Sequence, residues 1–161
     1  MDWQDNGIIL TARRHGETSA IINILTCERG VHAGLVKGGY SKRMRSVIEP
    51  GNLVQARWRG RLAEHLGHYQ LEVMHSHGAG LMDSPERLAG MTAALSVCAA
   101  ALPEREPHPA MFEVMSAFLT ALEHEDISSH TAGWASLYVK WELGLLKDLG
   151  FRLDLDHCAA T

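Results

Sequence analysis

The spacing of apolar residues changes once along the chain, near Gly78-Ala-Gly80, and this change limits the folds that are available. Before it, apolar residues fall in short runs separated by turn-forming residues, which is typical of β-strands. After it, Ser84-Pro85-Glu86 supplies an N-cap, a proline at the first helical position and an acidic first turn. The sequence therefore predicts an α+β protein, with an all-β domain over residues 1–78 and an all-α domain over residues 79–161.

Five strands are predicted in the first part of the chain. One of them, Ala20-Ile-Ile-Asn-Ile-Leu-Thr26, contains enough β-branched residues to favour strand over helix. Five strands in roughly seventy residues suit a small barrel of the oligonucleotide/oligosaccharide-binding (OB) type, and periodicity alone is also compatible with a sandwich. The predicted strands are Gly7–Arg13, Ala20–Cys27, Val31–Lys37, Leu53–Trp58 and Tyr69–His75.

Three helices are predicted in the second part. The first begins after Ser84, carries one apolar face and ends at Pro103. The second begins at His108-Pro109, and the third runs from about Thr131 to Leu149 with a glycine after it at a C-cap position. The third helix is expected at the centre of the helical domain because of its apolar residues, which are Trp134, Leu137, Tyr138, Trp141, Leu145 and Leu146.

Charge is divided unevenly between the two parts. The chain has 15 Lys and Arg against 19 Asp and Glu, a net charge of -4. Residues 1–77 carry ten Lys/Arg and seven Asp/Glu, net +3, whereas residues 78–161 carry five and twelve, net -7. This asymmetry predicts that the first part meets polyanions and the second does not.

Neither the start of the sequence nor its cysteines indicate an exported protein. No basic segment followed by an apolar run opens the sequence, and no run of eighteen apolar residues occurs, so we expect a cytoplasmic location without a membrane span. The three cysteines are far apart and show no C-x-x-C spacing. Cys27 and Cys98 are therefore interpreted as structural, reduced thiols.

A basic loop between the third and fourth predicted strands is the first candidate binding site. Lys37-Gly-Gly-Tyr-Ser-Lys-Arg-Met-Arg45 contains four cations and no acid. On an OB barrel, cations neutralise phosphates and an aromatic ring stacks on bases, so Lys37, Tyr40, Lys42, Arg43 and Arg45 are candidate DNA contacts. The alternative is a solvated hairpin tip with ordinary surface charges.

Two further basic segments extend this hypothesis. In Arg57-Trp-Arg-Gly-Arg61, alternation along a strand places Arg57 and Arg59 on one face and Trp58 in the core. Arg57, Arg59 and Arg61 are therefore candidate contacts to the DNA backbone. Arg13 and Arg14, after the first strand, either extend the same surface or form a plain strand end.

Ten histidines raise the question of a metal site. His75 and His77 share a strand face and could chelate an ion, but the sequence gives no third ligand at a defined spacing. Histidines beside a DNA-binding surface would alternatively gain charge at acidic pH and strengthen phosphate binding. No phosphate-binding loop, nucleophile elbow or H-E-x-x-H motif is present, so we do not expect an enzyme.

Several motifs together resemble the bacterial RecO family of recombination mediators, and the resemblance spans nearly the whole chain. The most specific are the turn in Gly16-Glu-Thr-Ser-Ala-Ile-Ile22, the loop Lys37-Gly-Gly-Tyr-Ser-Lys-Arg43 and the terminal Leu149-Gly-Phe-Arg-Leu-Asp-Leu-Asp-His-Cys-Ala159. The remaining motifs are Gly7-Ile-Ile-Leu10, Thr26-Cys-Glu-Arg-Gly30, Glu49-Pro-Gly51 and Leu102-Pro-Glu-Arg-Glu-Pro-His108.

The resemblance implies a non-enzymatic protein of DNA repair and recombination. Its implied partners are single- and double-stranded DNA, RecR, the acidic C-terminal tail of single-strand-binding protein (SSB) and, indirectly, RecA, with strand annealing and RecA loading as its tasks and a nucleoid-associated location. The SSB tail would need an apolar pocket rimmed by cations. The candidate cations in the helical domain are Arg87, Arg105, Lys140 and Lys147.

The chain departs from the family pattern in two ways. The family loop commonly reads Lys-Gly-Ala-Arg-Ser-Lys, whereas Gly39 and Tyr40 stand here, so one cation is exchanged for an aromatic ring. Family members also continue past the His-Cys-Ala motif, often with cysteines that hold zinc together with the first. We therefore expect a C-terminally truncated chain without a cofactor of its own, in which Cys158 would be a zinc ligand only in the full-length protein.

An adaptor function is the main alternative. In that case the basic loop would dock an acidic protein instead of DNA, and competition by a single-stranded oligonucleotide would separate the two functions.

Overall fold

The computed structural model describes residues 1–62, 64–124, 131–151 and 153. Five strands occupy the first part of the chain, in good agreement with the predicted ones. They are β1 (Asp2–His15), β2 (Ser19–Thr26), β3 (Gly30–Val36), β4 (Asn52–Arg59) and β5 (His68–Ser76). The largest difference is at the start of β1, which begins five residues before the predicted position because the polar segment Asp2–Asn6 pairs with β4.

The five strands form a closed barrel in the order β1-β2-β3-β5-β4. All neighbours are antiparallel except β3 and β5, which pair in parallel at Leu35 and His68. Five strands in a partly open or closed Greek-key barrel are the OB architecture, so the prediction of an OB-type barrel is confirmed and the sandwich alternative is wrong.

The helices also agree with the sequence pattern. A short helix α1 (Lys42–Arg45) lies in the basic loop and was not predicted. It is followed after the barrel by α2 (Pro85–Ala101), α3 (Pro109–Glu123) and α4 (Thr131–Asp148). Ser84 occupies the N-cap of α2, but its side chain makes no capping hydrogen bond. After α4, Gly150 has φ +87°, and the amide of Phe151 bonds back to the carbonyl of Leu146 at 2.8 Å, which closes the helix as a Schellman motif.

Two cores hold these elements together. The barrel interior is filled by side chains of one parity from each strand, with Trp58 fully buried and Ile48 closing one end. The second core lies between the helices and the outer face of the barrel, where Ile8, Leu10 and Leu25 meet α2 and α3. Helix α4 joins the same core by packing on α2 and α3. The helices therefore complete their core on the barrel.

The described helices contain no segment that is both long and apolar enough to cross a membrane. Of the cysteines, Cys98 is fully buried in the helical core, and burial raises the pKa of its thiol to about 12. Cys27 is half-buried, and burial raises its pKa as well. Neither thiol has the depressed pKa of a reactive cysteine.

Candidate nucleic-acid interface

The basic loop between β3 and β4 is an ordered structure that packs on one end of the barrel. Gly38, with φ +64°, turns the chain out of β3, and the Ser41 hydroxyl accepts a hydrogen bond from the Met44 amide at 3.3 Å to start α1. Met44 and Tyr40 are half-buried against the barrel core. The short helix is thus fixed by its apolar side, and its polar side faces solvent.

The cations of this loop are exposed and uncommitted. Lys37, Lys42, Arg43 and Arg45 are all exposed, and none has a carboxylate within ion-pair distance among the residues that the structure describes. The four charges therefore repel one another without local compensation. Such a group of cations favours binding of a polyanion, because association releases that repulsion and displaces counterions.

Tyr40 contacts both the end of β1 and the turn that follows it. Its amide bonds to the carbonyl of Thr18 at 3.1 Å, and the Arg14 guanidinium lies 5.6 Å from the centre of the Tyr40 ring. Arg14 also donates to the carbonyl of Glu17 at 2.8 Å. The structure therefore brings Arg14 into the same surface as the basic loop, while one side of the Tyr40 ring is already occupied.

Arg57 and Arg59 point outward from β4, on the opposite side of the strand from buried Trp58, as predicted. Unlike the loop cations, both are paired with Asp2. Arg57 donates to this carboxylate twice, at 3.2 and 2.9 Å, and Arg59 donates once, at 3.0 Å. These hydrogen bonds lower the pKa of Asp2 to about 2, so the carboxylate offsets one of the two positive charges.

Strand pairing places the two basic segments on one band of the barrel. A continuous row of paired residues runs around the outside from Arg13 on β1 to Arg59 on β4. It crosses four strand spacings, about 19 Å along the surface. Between Arg13 and Arg59, this row contains Ile21, Leu35 and His68. The cations thus border a partly apolar face on β2 and β3.

Arg61 lies just past β4, in the loop that returns to β5. Gly60 and Gly67 bring the backbone of this loop against the Trp58 indole, where a Cβ on either glycine would lie within 2.4 Å of the ring. The Trp58 Nε1 donates to the carbonyl of Leu66 at 3.1 Å. The loop is therefore anchored on the barrel core, and the exposed Arg61 side chain lies beside Arg59 in a shared surface depression.

The candidate partner-binding cations of the helical part differ in their surroundings. Arg87 donates to the carbonyl of Leu122 at 2.8 Å, and Arg105 donates to the carbonyl of Glu64 at 2.8 Å. Lys140 and Lys147 are exposed on α4. Each of the two arginines therefore bonds to a backbone carbonyl of this chain, although Arg105 is itself exposed, and the two lysines lie at the surface.

An apolar groove lies between α3 and α4. It encloses about 290 Å³, and Lys140 is the one cation among its lining residues. The floor is formed by Phe118 and Trp141, while Tyr138 packs on both of these rings nearby. The remaining lining residues are Val114, Ala117, Ala121 and Leu137.

A cluster of rings at the other end of the barrel was missed by the sequence analysis. Trp3 stacks on Trp58 at 5.7 Å between ring centres, and His32 meets both indoles edge-on at 5.0 Å. The Arg29 guanidinium lies 5.1 Å over the Trp3 ring. Burial lowers the pKa of His32, so this imidazole is held neutral. Trp3 precedes the first apolar run, so the sequence pattern does not assign it to a strand. Its position in the ring cluster follows only from the pairing of Trp3 with Trp58 between β1 and β4.

The zinc ligand implied for a longer chain, Cys158, lies outside the described residues, as does Arg152.

These features define a class of protein: an OB-type barrel that carries a loop of exposed cations without ion-pair partners in the described residues, joined to a helical bundle through a shared core. Two family models cover the chain, described as "Recombination protein O N terminal" over residues 1–77 and "Recombination protein O C terminal" over residues 82–161. The chain belongs to the RecO family.

Curated relatives carry the same family name. The chain is 52% identical to "DNA repair protein RecO" of Rhodospirillum centenum, over 100% of this chain and 62% of the relative. It is 45% identical to the protein of that name from Ruegeria sp. and 42% identical to that from Rhodospirillum rubrum, in each case over 100% of this chain and 64% of the relative. The chain therefore spans less than two thirds of the length of these relatives.

Proposed function

We propose that this chain is the DNA-binding portion of a recombination mediator that works in DNA repair without catalysing a reaction. In this function the barrel binds the phosphate backbone of single- or double-stranded DNA. The protein thereby promotes annealing of strands and helps RecA load onto DNA coated with SSB. The observation that carries the proposal is the group of four exposed, unpaired cations on an OB-type barrel. Membership of a family whose members are named DNA repair proteins supports it.

The position of the cations fits the way OB barrels bind nucleic acid. OB barrels use the face of strands 2 and 3, flanked by the loops between strands 1 and 2 and between strands 4 and 5. In this chain Arg14 stands at the first of those loops and Arg61 in the second. Lys37 directly follows β3, is exposed and continues the alternation that places Leu35 on the outward side. The basic residues therefore surround the face that the fold offers to a strand of DNA.

Salt dependence tests the DNA contact. Affinity for a fluorescent single-stranded oligonucleotide would be measured by anisotropy over a salt series, for the wild type and for the variant K37A/K42A/R43A/R45A. Each phosphate contact contributes about 0.7 to the slope of log affinity against log salt, so the slope should fall by about 2.8 if all four contact DNA. An unchanged slope would contradict the proposal.

A matched pair of double variants separates a local contact from a general charge effect. K42A/R43A and K140A/K147A each remove two positive charges from exposed helix positions. We expect a shallower slope only for K42A/R43A. Equal losses would mean that net charge alone governs binding. A basic loop that instead docks an acidic protein would bind that protein without competition from the oligonucleotide.

The groove between α3 and α4 is the proposed site for the acidic, phenylalanine-ended tail of SSB. It combines apolar walls, which suit an aromatic ring, with Lys140 at its edge for a carboxylate. Binding of a fluorescent peptide with this sequence character should weaken at least about tenfold in Lys140→Glu, since a favourable charge pair becomes a repulsion. Lys147→Glu, outside the groove lining, is the matched control. Equal affinity of both variants would place the site elsewhere. RecR remains a proposed partner on the same family grounds.

A further inference from the structure

Two histidines of the barrel and a glutamate of the helical part meet at the boundary between them. His75 is near the end of β5, His77 follows that strand, and Glu123 is the last residue of α3. The His75 Nε2 lies 2.9 and 3.0 Å from the two Glu123 carboxylate oxygens, and the His77 Nδ1 lies 2.9 Å from Oε1. One carboxylate thus faces two imidazole nitrogens from residues 46 and 48 positions away.

The backbone on both sides favours this arrangement. In β5 the pairing moves from Val54–Val73 to Leu53–His75, so Met74 is an extra residue that bulges out of the ladder. A bulge changes the direction of the following side chains. On the other side, a Cβ on Gly80 would lie 3.2 to 3.3 Å from the Glu123 carboxylate group. The glycine therefore leaves space for the carboxylate between the two elements.

Two imidazoles and one carboxylate are ligands that transition-metal ions such as zinc commonly bind, and their donor atoms lie close together. One ligand atom from each residue can be chosen so that all three atoms lie within 4.8 Å of one another. Tetrahedral zinc with bonds of about 2.0–2.2 Å separates its ligand atoms by about 3.3–3.6 Å. The 2.9 Å contacts between the imidazole nitrogens and the carboxylate would therefore lengthen, and the three donor atoms would adjust toward this spacing to admit an ion. The His75 side chain is 51% exposed, which leaves one side of the cluster open to water as a fourth ligand.

The surroundings of His77 favour the protonation state that a metal ligand needs. Its side chain is 6% exposed, and burial lowers its pKa, which favours the neutral imidazole that binds metals. The two imidazole rings lie 4.6 Å apart, edge to face. The partly buried His108–Asp148 pair at 2.6 Å provides a contrast, because it joins only two groups and belongs to no group of three donors in the part of the chain that the structure describes.

We propose that His75, His77 and Glu123 bind one divalent transition-metal ion of the zinc class and that this ion ties the last strand of the barrel to the end of α3. The three proposed ligands include none of the cations of the basic loop or of β4 and no cysteine. The proposal stands or falls independently of DNA binding.

Zinc binding to metal-free protein tests the proposal. Competition against a chromophoric chelator would be measured for the whole 161-residue chain carrying Cys158→Ser, so that this terminal thiolate cannot supply the affinity. We expect one ion per chain, with affinity at least about tenfold weaker in Glu123→Gln and in His75→Gln, because each loses a ligand. His68→Gln, an exposed imidazole on the same strand, should bind as the parent does.

Two further measurements make the outcome clear. Cobalt in place of zinc should give the visible absorption of a four-coordinate ion, and Glu123→Gln should abolish it. Zinc should raise the Tm of the parent but not that of Glu123→Gln, since only the folded parent holds the ion. No binding at micromolar zinc, or binding that Glu123→Gln and His75→Gln leave unchanged, would overturn the proposal. Far-UV circular dichroism of each variant would verify that it is folded.

Discussion

The barrel and the helical part bury their apolar side chains in different ways. The barrel closes on itself, so side chains of one parity fill its interior and those of the other parity point outward. The helices instead complete their core on the outer face of the barrel, through Ile8, Leu10 and Leu25. The barrel is therefore a self-contained scaffold on which the helices depend.

The same difference governs how the two parts use their cations. The loop cations Lys42, Arg43 and Arg45 lie on α1 outside both cores, so they stay free for a ligand. In the helical part Arg87 and Arg105 bond to backbone carbonyls at 2.8 Å. A count of charges in the sequence cannot distinguish these two uses.

Loss of Trp58 should have the largest effect on stability. This side chain is fully buried, stacks on Trp3 and supports the loop between β4 and β5. Trp58→Ala should lower the free energy of unfolding by about 3–5 kcal/mol, and Met115→Ala in the helical core by about 2–5 kcal/mol. Urea unfolding followed by far-UV circular dichroism would measure both.

The shape of these transitions tests the dependence of the helices on the barrel. If the helical core needs the barrel face, Trp58→Ala should shift a single transition that includes the helical signal. A helical signal that persists after the barrel has unfolded would show that the helices are stable alone. Trp58→Phe, which keeps an aromatic ring, should lose less stability than the alanine variant.

A pair of arginine variants tests the contrast in cation use. Arg87→Ala removes the donor that satisfies the Leu122 carbonyl near the end of α3, and it should cost about 1.5–3 kcal/mol. Arg43→Ala removes an exposed, unpaired charge and should change stability by less than about 0.5 kcal/mol. Thermal unfolding of both variants provides the comparison. Equal losses would mean that the loop cation also has a structural partner.

Acid should weaken the barrel through His32. Burial lowers the pKa of this imidazole below the ordinary 6.5, and Arg105 and Arg29 act in the same direction. The hydrogen bond to the Ala33 carbonyl and the charge of Glu104 oppose this shift. The unfolded chain therefore binds the proton more tightly, so stability is full above about pH 6.5 and falls as the pH drops toward the folded pKa. Each unit of lowering corresponds to about 1.4 kcal/mol.

A substitution isolates the His32 contribution. His32→Gln should flatten the fall in free energy of unfolding between neutral and mildly acidic pH, measured by urea titration. His15→Gln, at an exposed position, should leave the fall unchanged. Part of the slope should remain in both variants, because burial lowers the pKa of His77 as well. An identical slope in His32→Gln and the wild type would contradict the assignment.

The sequence was sufficient for most of the fold because local signals agreed with one another. Proline and glycine mark the ends of the helices, and a run rich in β-branched residues marks β2. The start of β1 was not predictable from its own residues, since the polar segment Asp2–Asn6 becomes a strand only by pairing with β4. Tertiary pairing there overrides local propensity.

The candidate sites were less predictable, because contacts between distant residues decide them. The basic loop could be found from composition, but its packing through Tyr40 and Met44 could not. The His75–Glu123 contact joins residues 48 positions apart, and no spacing rule connects them. The role of Arg87 depends equally on where α3 ends. Sequence patterns show which side chains are present, and the fold decides which of them remain available.

The smallest expected effect concerns Asp2, the one acid that pairs with cations of the basic band in the described part of the chain. Hydrogen bonds from Arg57 and Arg59 lower its pKa from 3.8 to about 2. A lowered carboxyl pKa stabilises the fold above about pH 4, and this contribution is lost as the pH falls through 4 toward 2. The stability of Asp2→Asn should therefore fall less steeply than that of the wild type over this interval.

The same variant tests whether Arg57 and Arg59 reach DNA. Removing the Asp2 charge frees both guanidiniums, so Asp2→Asn should bind the single-stranded oligonucleotide more tightly and with a steeper salt dependence, by up to about 0.7 in slope for each arginine that gains a phosphate. Glu72→Gln removes an equal charge from β5 without touching either arginine. A gain in affinity confined to Asp2→Asn would show that the DNA-binding surface includes Arg57 and Arg59 on β4 as well as the basic loop. An equal gain in both variants would show that net charge alone causes the gain, and the loop cations would then be the specific DNA contacts.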